Sequence, residues 1–305
     1  MPEPLPLLQE WESTKMTLHL YLQIVGKIRL KTMPRRNHWW NITLYVNSKG
    51  ITTDSMPYDE GTFEIQFNFI NHTLEIFTSK GEHRFFALEH GLSVADFYNA
   101  LFKILAELNI HVTIVHKPYS LPDANPITTP FEEIISYNQY EKKVVQKFWQ
   151  AMLWVDGVMK EFSGRYYGKT CPVHIYWHHF DLTITRFSGK RVPLPPGMKP
   201  TDKDAYSHEV ISFGFWAGDE NVPGAAFYSY TYPSPAGLEE ATLEPKSAKW
   251  QINGSPMALL MYNDLLQEKN PRQALLNFFE SAYQAGATKA NWNVADMQVP
   301  EIAAL

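Results

Sequence analysis

The sequence predicts an α+β fold in which antiparallel sheets pack against long helices. Proline-free stretches at 8–32, 93–108 and 139–162 place apolar residues at helical spacing, whereas Phe63-Glu64-Ile65-Gln66-Phe67-Asn68-Phe69 alternates with the period of a strand. Neighbouring strands are separated by tight turns, a connection open to antiparallel pairs but not to parallel ones. A dinucleotide fingerprint and a phosphate-cradling glycine loop, which would signal a parallel sheet, are both missing from the chain.

In chain order, the first helix spans 8–32, with Leu18, Leu22, Val25 and Ile28 at i, i+4, i+7 and i+10, and Pro34 ends it. A strand is expected over 39–46, then a turn at Ser48-Lys49-Gly50, then the 63–69 strand with one face buried and one wet. Asn71-His72 and Lys80-Gly81 read as hairpin turns into 74–78 and 84–88. Ser93 is an N-cap, Asp96 favours the helix start, and Val94, Phe97, Leu101, Ile104, Leu105 and Leu108 form the apolar stripe. A short strand at 110–115 closes a first half, residues 1–116. Prolines 118, 122, 126 and 130 forbid a helix or an inner strand, so 117–136 is a crossover.

The second half, 137–305, opens on a helix at 139–162 and continues with strands at 173–179, 182–187, 210–216 and 226–232. Two helices are expected at its end, announced by Ser255-Pro256 and Asn270-Pro271, each an N-cap before a first-turn proline. Both halves read helix, strands, helix, with Gly26 and Gly157 late in the long helices and an aromatic and histidine cluster entering each first strand pair. A pseudo-twofold duplication fits this pattern, and so does the patterning shared by many α+β folds.

Composition narrows the function. The 305 residues suffice for two domains or one large one, and 45% apolar with 19% charged residues is globular. A net charge of −5 argues against a general polyanion binder, and a single cysteine excludes an internal disulfide and fits a reducing, cytoplasmic setting. The opening residues lack the basic start and apolar run of a signal peptide, and the most apolar stretch, 18–30, is interrupted by His19, Gln23, Lys27 and Arg29, so no membrane association is expected. Without export, the glycosylation patterns at Asn41 and Asn71 are chance matches.

Two constellations could carry chemistry. On the first helix Lys15, His19, Gln23, Lys27 and Lys31 recur every four residues; they form either a solvated face or, because the helix is apolar nearly all round, a buried stripe that needs polar partners. Immediately downstream, Arg35-Arg36-Asn37-His38-Trp39-Trp40 gathers cations, an amide, an imidazole and two indoles at a helix-to-strand junction. Nucleic acid is not the expected partner, because no recognition motif accompanies the patch. The second constellation runs from Cys171 through His174, His178, His179, Asp181 and Arg186 to His208-Glu209. On one strand His174 and His178 would lie about 13 Å apart, too far to chelate one ion without His208 or Glu209 from a neighbour. Nothing marks Cys171 as an activated thiol. The proline-rich loop at 190–205 joins the two parts and has the length of a lid or binding loop.

Leu18-His19-Leu20 with Gln23-Ile24-Val25-Gly26-Lys27, then Asn37-His38-Trp39-Trp40, Phe180-Asp181-Leu182 with Thr185-Arg186-Phe187-Ser188-Gly189, and Tyr206-Ser207-His208-Glu209 together resemble a bacterial family of uncharacterised proteins, a domain of unknown function. The resemblance spans nearly the whole chain and brings no activity. It implies that the helix stripe, the tryptophan turn and the His208-Glu209 pair belong to one pattern, in which serine is usual where this chain has Cys171.

The function expected from these residues is binding of a small anionic ligand, with acid/base catalysis by His208 and Glu209. His19, Gln23, Lys27, Asn37, His38, Trp39, Trp40, His174 and Arg186 are the expected ligand-binding residues, with Lys27, Arg186 and Arg29 supplying charge. No cofactor or metal is expected. The alternatives are a non-enzymatic protein-interaction module and a metal-dependent enzyme built on the histidine-rich strands.

Overall fold

The computed structural model describes residues 3–59, 61–119 and 127–299. Its first half runs α1 (Glu12–Thr32), β1 (Tyr45–Val46), β2 (Gly50–Thr52), β3 (Met56–Tyr58), β4 (Gly61–Asn68), β5 (Thr73–Thr78), β6 (His83–Ala87) and α2 (Val94–Glu107). The second runs α3 (Lys142–Ser163), β7 (His174–Tyr176), β8 (Asp181–Arg191), α4 (Pro200–Ala205), β9 (His208–Trp216), β10 (Ala226–Tyr232), β11 (Lys249–Asn253), β12 (Ser255–Met261), α5 (Tyr262–Leu265) and α6 (Pro271–Lys289). The strands make two antiparallel sheets, β1-β2-β4-β5-β6 with β3 also on β4, and β11-β12-β10-β9-β8-β7. The fold is therefore α+β. Among the described residues no helix is long and apolar enough to cross a membrane.

Local chemistry explains the helix ends. Ser93 Oγ accepts from the Asp96 amide while the Asp96 carboxylate accepts from the Ser93 amide, a reciprocal cap that starts α2. Asn270 Oδ1 accepts from the Gln273 amide ahead of Pro271, which starts α6. α1 ends at Thr32 because Met33, preceding Pro34, is held extended.

Several expectations need correction. The strand expected at 39–46 begins only at Tyr45, because His38 and Trp39 take left-handed backbone angles (φ +55° and +60°) and Asn37–Trp39 forms a turn. Residues 110–115 have no ladder partner; Ile110 and Ile114 are buried without a strand. Likewise the strand at 173–179 stops at Tyr176, and Trp177, His178 and His179 turn away, so His174 and His178 do not share a strand face. Ser255-Pro256 opens β12, not a helix: Asn253-Gly254 is a hairpin turn (Gly254 φ +81°), and Pro256 pairs with Ile252 beyond the reach of β10. On β4 the face expected to be wet is covered at its far end, where buried Gln66 donates to the Ile51 and Phe67 carbonyls and buried Asn68 donates to Glu75. Of the crossover prolines, 122 and 126 lie outside the described residues.

The two sheets meet where Leu44 and Ile175 exchange both backbone hydrogen bonds, at 2.9 and 2.7 Å. One continuous apolar core draws on both halves. The two late-helix glycines are not equivalent: a Cβ on Gly26 would sit 2.1 Å from the Trp177 ring, whereas Gly157 has open space.

Candidate functional site

The second sheet has two chemically different faces. Register places Thr183, Gly214 and Tyr228 in one row and Thr185, Ser212 and Tyr230 in the next, with Asp181 at the start of β8 on the same side. The intervening residues Ile184, Phe213 and Phe227 face the opposite way, and Phe213 and Phe227 contact Phe279 of α6. The polar face lines a cavity of about 670 Å³, completed by Lys15 and His19 of α1, by His178 and His179, and by Trp39, Trp40, Trp216 and Tyr206.

Asp181 is the chemical centre of that face. Gly214 lacks a side chain, so the Tyr228 ring lies across it; a Cβ there would be 2.2 Å from the ring. The Tyr228 hydroxyl donates to Asp181 Oδ2, while Asp181 Oδ1 is buried without a hydrogen-bond partner. Burial raises the carboxyl above the usual carboxylate range, and burial together with this carboxylate holds the phenol protonated. Beside them Thr183 Oγ1 donates to the Phe213 carbonyl, and Thr185 Oγ1 is 3.0 Å from Ser212 Oγ.

Within the α1 stripe His19, Gln23 and Lys27 are buried, Lys15 is half-buried and Lys31 is exposed, and the buried members part company. His19 lines the cavity; burial pushes it down to about 3, and as a neutral ring its Nε2 donates to the Trp177 carbonyl at 3.0 Å. Gln23 does not reach the cavity: its amide pairs with the backbone of Tyr119, accepting at 2.7 Å and donating at 3.4 Å. Lys27 lies 5.9 Å from the Phe131 ring centroid and 6.0 Å from that of Trp177, and Arg29 donates to the Thr53 carbonyl. Arg186 is on the opposite face of β8, stacked 3.6 Å from the Phe162 centroid and donating to the Phe162 carbonyl. The three cations expected to supply charge are therefore structural. Asn37 is exposed and outside the cavity lining. His174 is also outside it, with Nδ1 2.7 Å from the Pro172 carbonyl, Nε2 unpartnered and burial pushing its pKa to about 4. Cys171 is buried, and its thiol is pushed up to about 11.

The tryptophan turn and the long loop are joined at the cavity edge. Trp39 Nε1 donates to the Thr201 carbonyl at 3.0 Å, Arg35 pairs with Asp204 at 2.9 Å, and His38 Nδ1 lies 3.4 Å from the Ala205 carbonyl. Lys169 Nζ donates to His38 Nε2 at 2.9 Å, which leaves Nδ1 as the protonated nitrogen of a neutral ring. α4, inside the 190–205 loop, is thus latched onto the turn. His208 lies beside this latch, its ring 5.5 Å from that of His38, whereas Glu209 accepts from Ser188 Oγ at 2.7 Å. Successive strand residues point to opposite faces, so His208 and Glu209 do not form one acid/base pair.

Tyr228, Thr183, Thr185 and Ser212 were absent from the expected site. On β8 and β9 the signal that would have found them is a polar or small residue at alternate positions, Asp181, Thr183 and Thr185, and Ser212 and Gly214, between apolar Leu182, Ile184, Ile211, Phe213 and Phe215; β10 carries no such signal, because Ser229 and Thr231 interrupt its other face. Among the described residues that line the cavity Glu12, Asp181, Asp219 and Glu220 outnumber one ammonium, Lys15, while the Lys169 ammonium lies behind the lining on His38. Among the described residues no three His, Cys, Asp or Glu side chains are grouped to hold a metal ion. Chemically the arrangement offers hydroxyl and imidazole donors and acceptors, one partly free carboxylate and aromatic walls.

A family model described as a family of unknown function (DUF5996) matches residues 3–299. No curated protein matches the chain, and no solved structure does.

Proposed function

This chain belongs to DUF5996, a family of unknown function, and from that premise we propose that it binds a small polar organic molecule in the cavity between α1, the tryptophan turn and the polar face of the second sheet. The observation that carries the reading is that face itself. Inner strands of a sheet normally bury apolar side chains on both sides when both are covered, because a buried polar group without a partner is costly. Here Asp181, Thr183 and Ser212 are buried on one face and look onto a space of about 670 Å³, a volume in the range of small-molecule sites. Indole and phenol rings at the rim supply apolar contact, and the latched α4 supplies a cover.

An anionic ligand, expected from the sequence, loses its support because Lys27, Arg29 and Arg186 are committed elsewhere. A cytoplasmic setting is part of the proposal, supported by the single buried cysteine. The test is a thermal-shift screen of polar metabolite-sized compounds against the native protein and Thr185→Trp, which fills the cavity from β8. Compounds that raise the melting temperature of the native protein by a few degrees should leave the filled variant unmoved. A screen whose hits shift both proteins equally, or that yields no hits, refutes the site.

A further inference from the structure

Building on the proposed cavity, we infer that its ligand carries a protonated amine whose N–H groups are received by Asp181. The buried Asp181 carboxylate is 8% exposed and lines the cavity; one oxygen accepts from Tyr228 and the other has no hydrogen-bond partner. A carboxylate accepts through both oxygens, and one left bare in a buried site costs free energy unless a donor arrives to fill it. Among its neighbours Thr183 donates to the Phe213 carbonyl, the Tyr228 hydroxyl has only one proton to give, and His179, which stands near the carboxylate, makes no hydrogen bond to Oδ1. The vacancy therefore suits a donor brought by the ligand.

Charge selects the kind of donor. Among the described lining residues Glu12, Asp219 and Glu220 stand with Asp181 against Lys15, a balance that favours a cation over an anion. Glu12 and Asp219 also have local duties, Glu12 in the first turn of α1 and Asp219 accepting from the Asn221 and Val222 amides, so they set the field and Asp181 makes the contact. The indoles of Trp39 and Trp216 on the lining add aromatic surface of a kind that favours a positive charge close by, while the Trp40 ring already takes the Lys169 ammonium at 5.4 Å. Burial keeps His19, His38 and His178 neutral, so of the lining imidazoles His179 is the one left beside Asp181.

Three probes with one phenyl ring and different charge decide the matter: tyramine (cation), 4-ethylphenol (neutral) and 4-hydroxyphenylacetate (anion), titrated calorimetrically at one salt concentration. Tyramine should bind the native protein at least about tenfold more tightly than either other probe, and Asp181→Asn should lose about tenfold for tyramine while leaving 4-ethylphenol unchanged, the scale of one charge-assisted hydrogen bond. Tyr228→Phe keeps the carboxylate and should hold tyramine within about threefold. The inference falls if the anion binds as tightly as the amine, if Asp181→Asn leaves tyramine unaffected, if Tyr228→Phe loses as much as Asp181→Asn, or if no probe binds. The charge series on the unaltered protein decides even where a variant does not fold. Binding of the neutral or anionic probe as tightly as tyramine, abolished by Thr185→Trp, would overturn the amine and leave the cavity reading intact.

Discussion

His19 and His174 show what burial does to single residues. Each has one carbonyl partner and is almost entirely enclosed, so the native ring stays neutral down to about pH 3 for His19 and about pH 4 for His174. The unfolded chain takes up these protons near pH 6.5, so the stability tied to the neutral rings is complete above that value and is lost as pH falls towards the native pKa values. Lowering the pH from 7 to 5 should cost about 2 kcal/mol for each ring, read from urea unfolding at the two pH values. The double substitution His19→Gln with His174→Gln should narrow that difference by a comparable amount; an unchanged difference would show that both rings titrate normally. The sequence leaves the His19 stripe between a solvated face and a buried one; the apolar residues on nearly every side of the helix point to burial, and this holds for His19, Gln23 and Lys27. Its partners were not legible, because Trp177 lies 158 positions away and Tyr119 lies 96 from Gln23, and no local pattern encodes such distances.

Elements with their own punctuation were legible from sequence: the Ser93 and Asn270 caps open α2 and α6, and β10 spans 226–232 as expected. Where tertiary contacts override local preference, the reading failed, as at the left-handed His38-Trp39 turn, which is held by α4 and Lys169. Ser255-Pro256 misled because the same dipeptide serves a helix start and a strand that follows a hairpin tip. The two long helices give a direct comparison. Gly26→Ala drives a methyl into the Trp177 indole and should destabilise the protein by about 1–3 kcal/mol or more. Gly157→Ala, on an exposed and open stretch of α3, should stabilise it by about 0.5–1 kcal/mol through helix propensity. Thermal denaturation of the two variants side by side checks both signs.

At the scale of the molecule, the Leu44–Ile175 junction and the shared core tie the halves together. Far-ultraviolet circular dichroism and tryptophan fluorescence should therefore report one coincident unfolding transition. Two resolved transitions would mean that the halves fold independently. The burial of α1 has a consequence for how the chain is made. Every residue from 17 to 29 is enclosed, and part of that enclosure comes from the turn at Trp177. Synthesis at roughly 5–20 residues per second separates His19 from its Trp177 partner by about 8–30 s. For that interval a nascent helix with apolar residues on nearly all sides stands without its cover, so the chain should depend on a holding chaperone while α1 waits and shed that dependence once β7 has emerged.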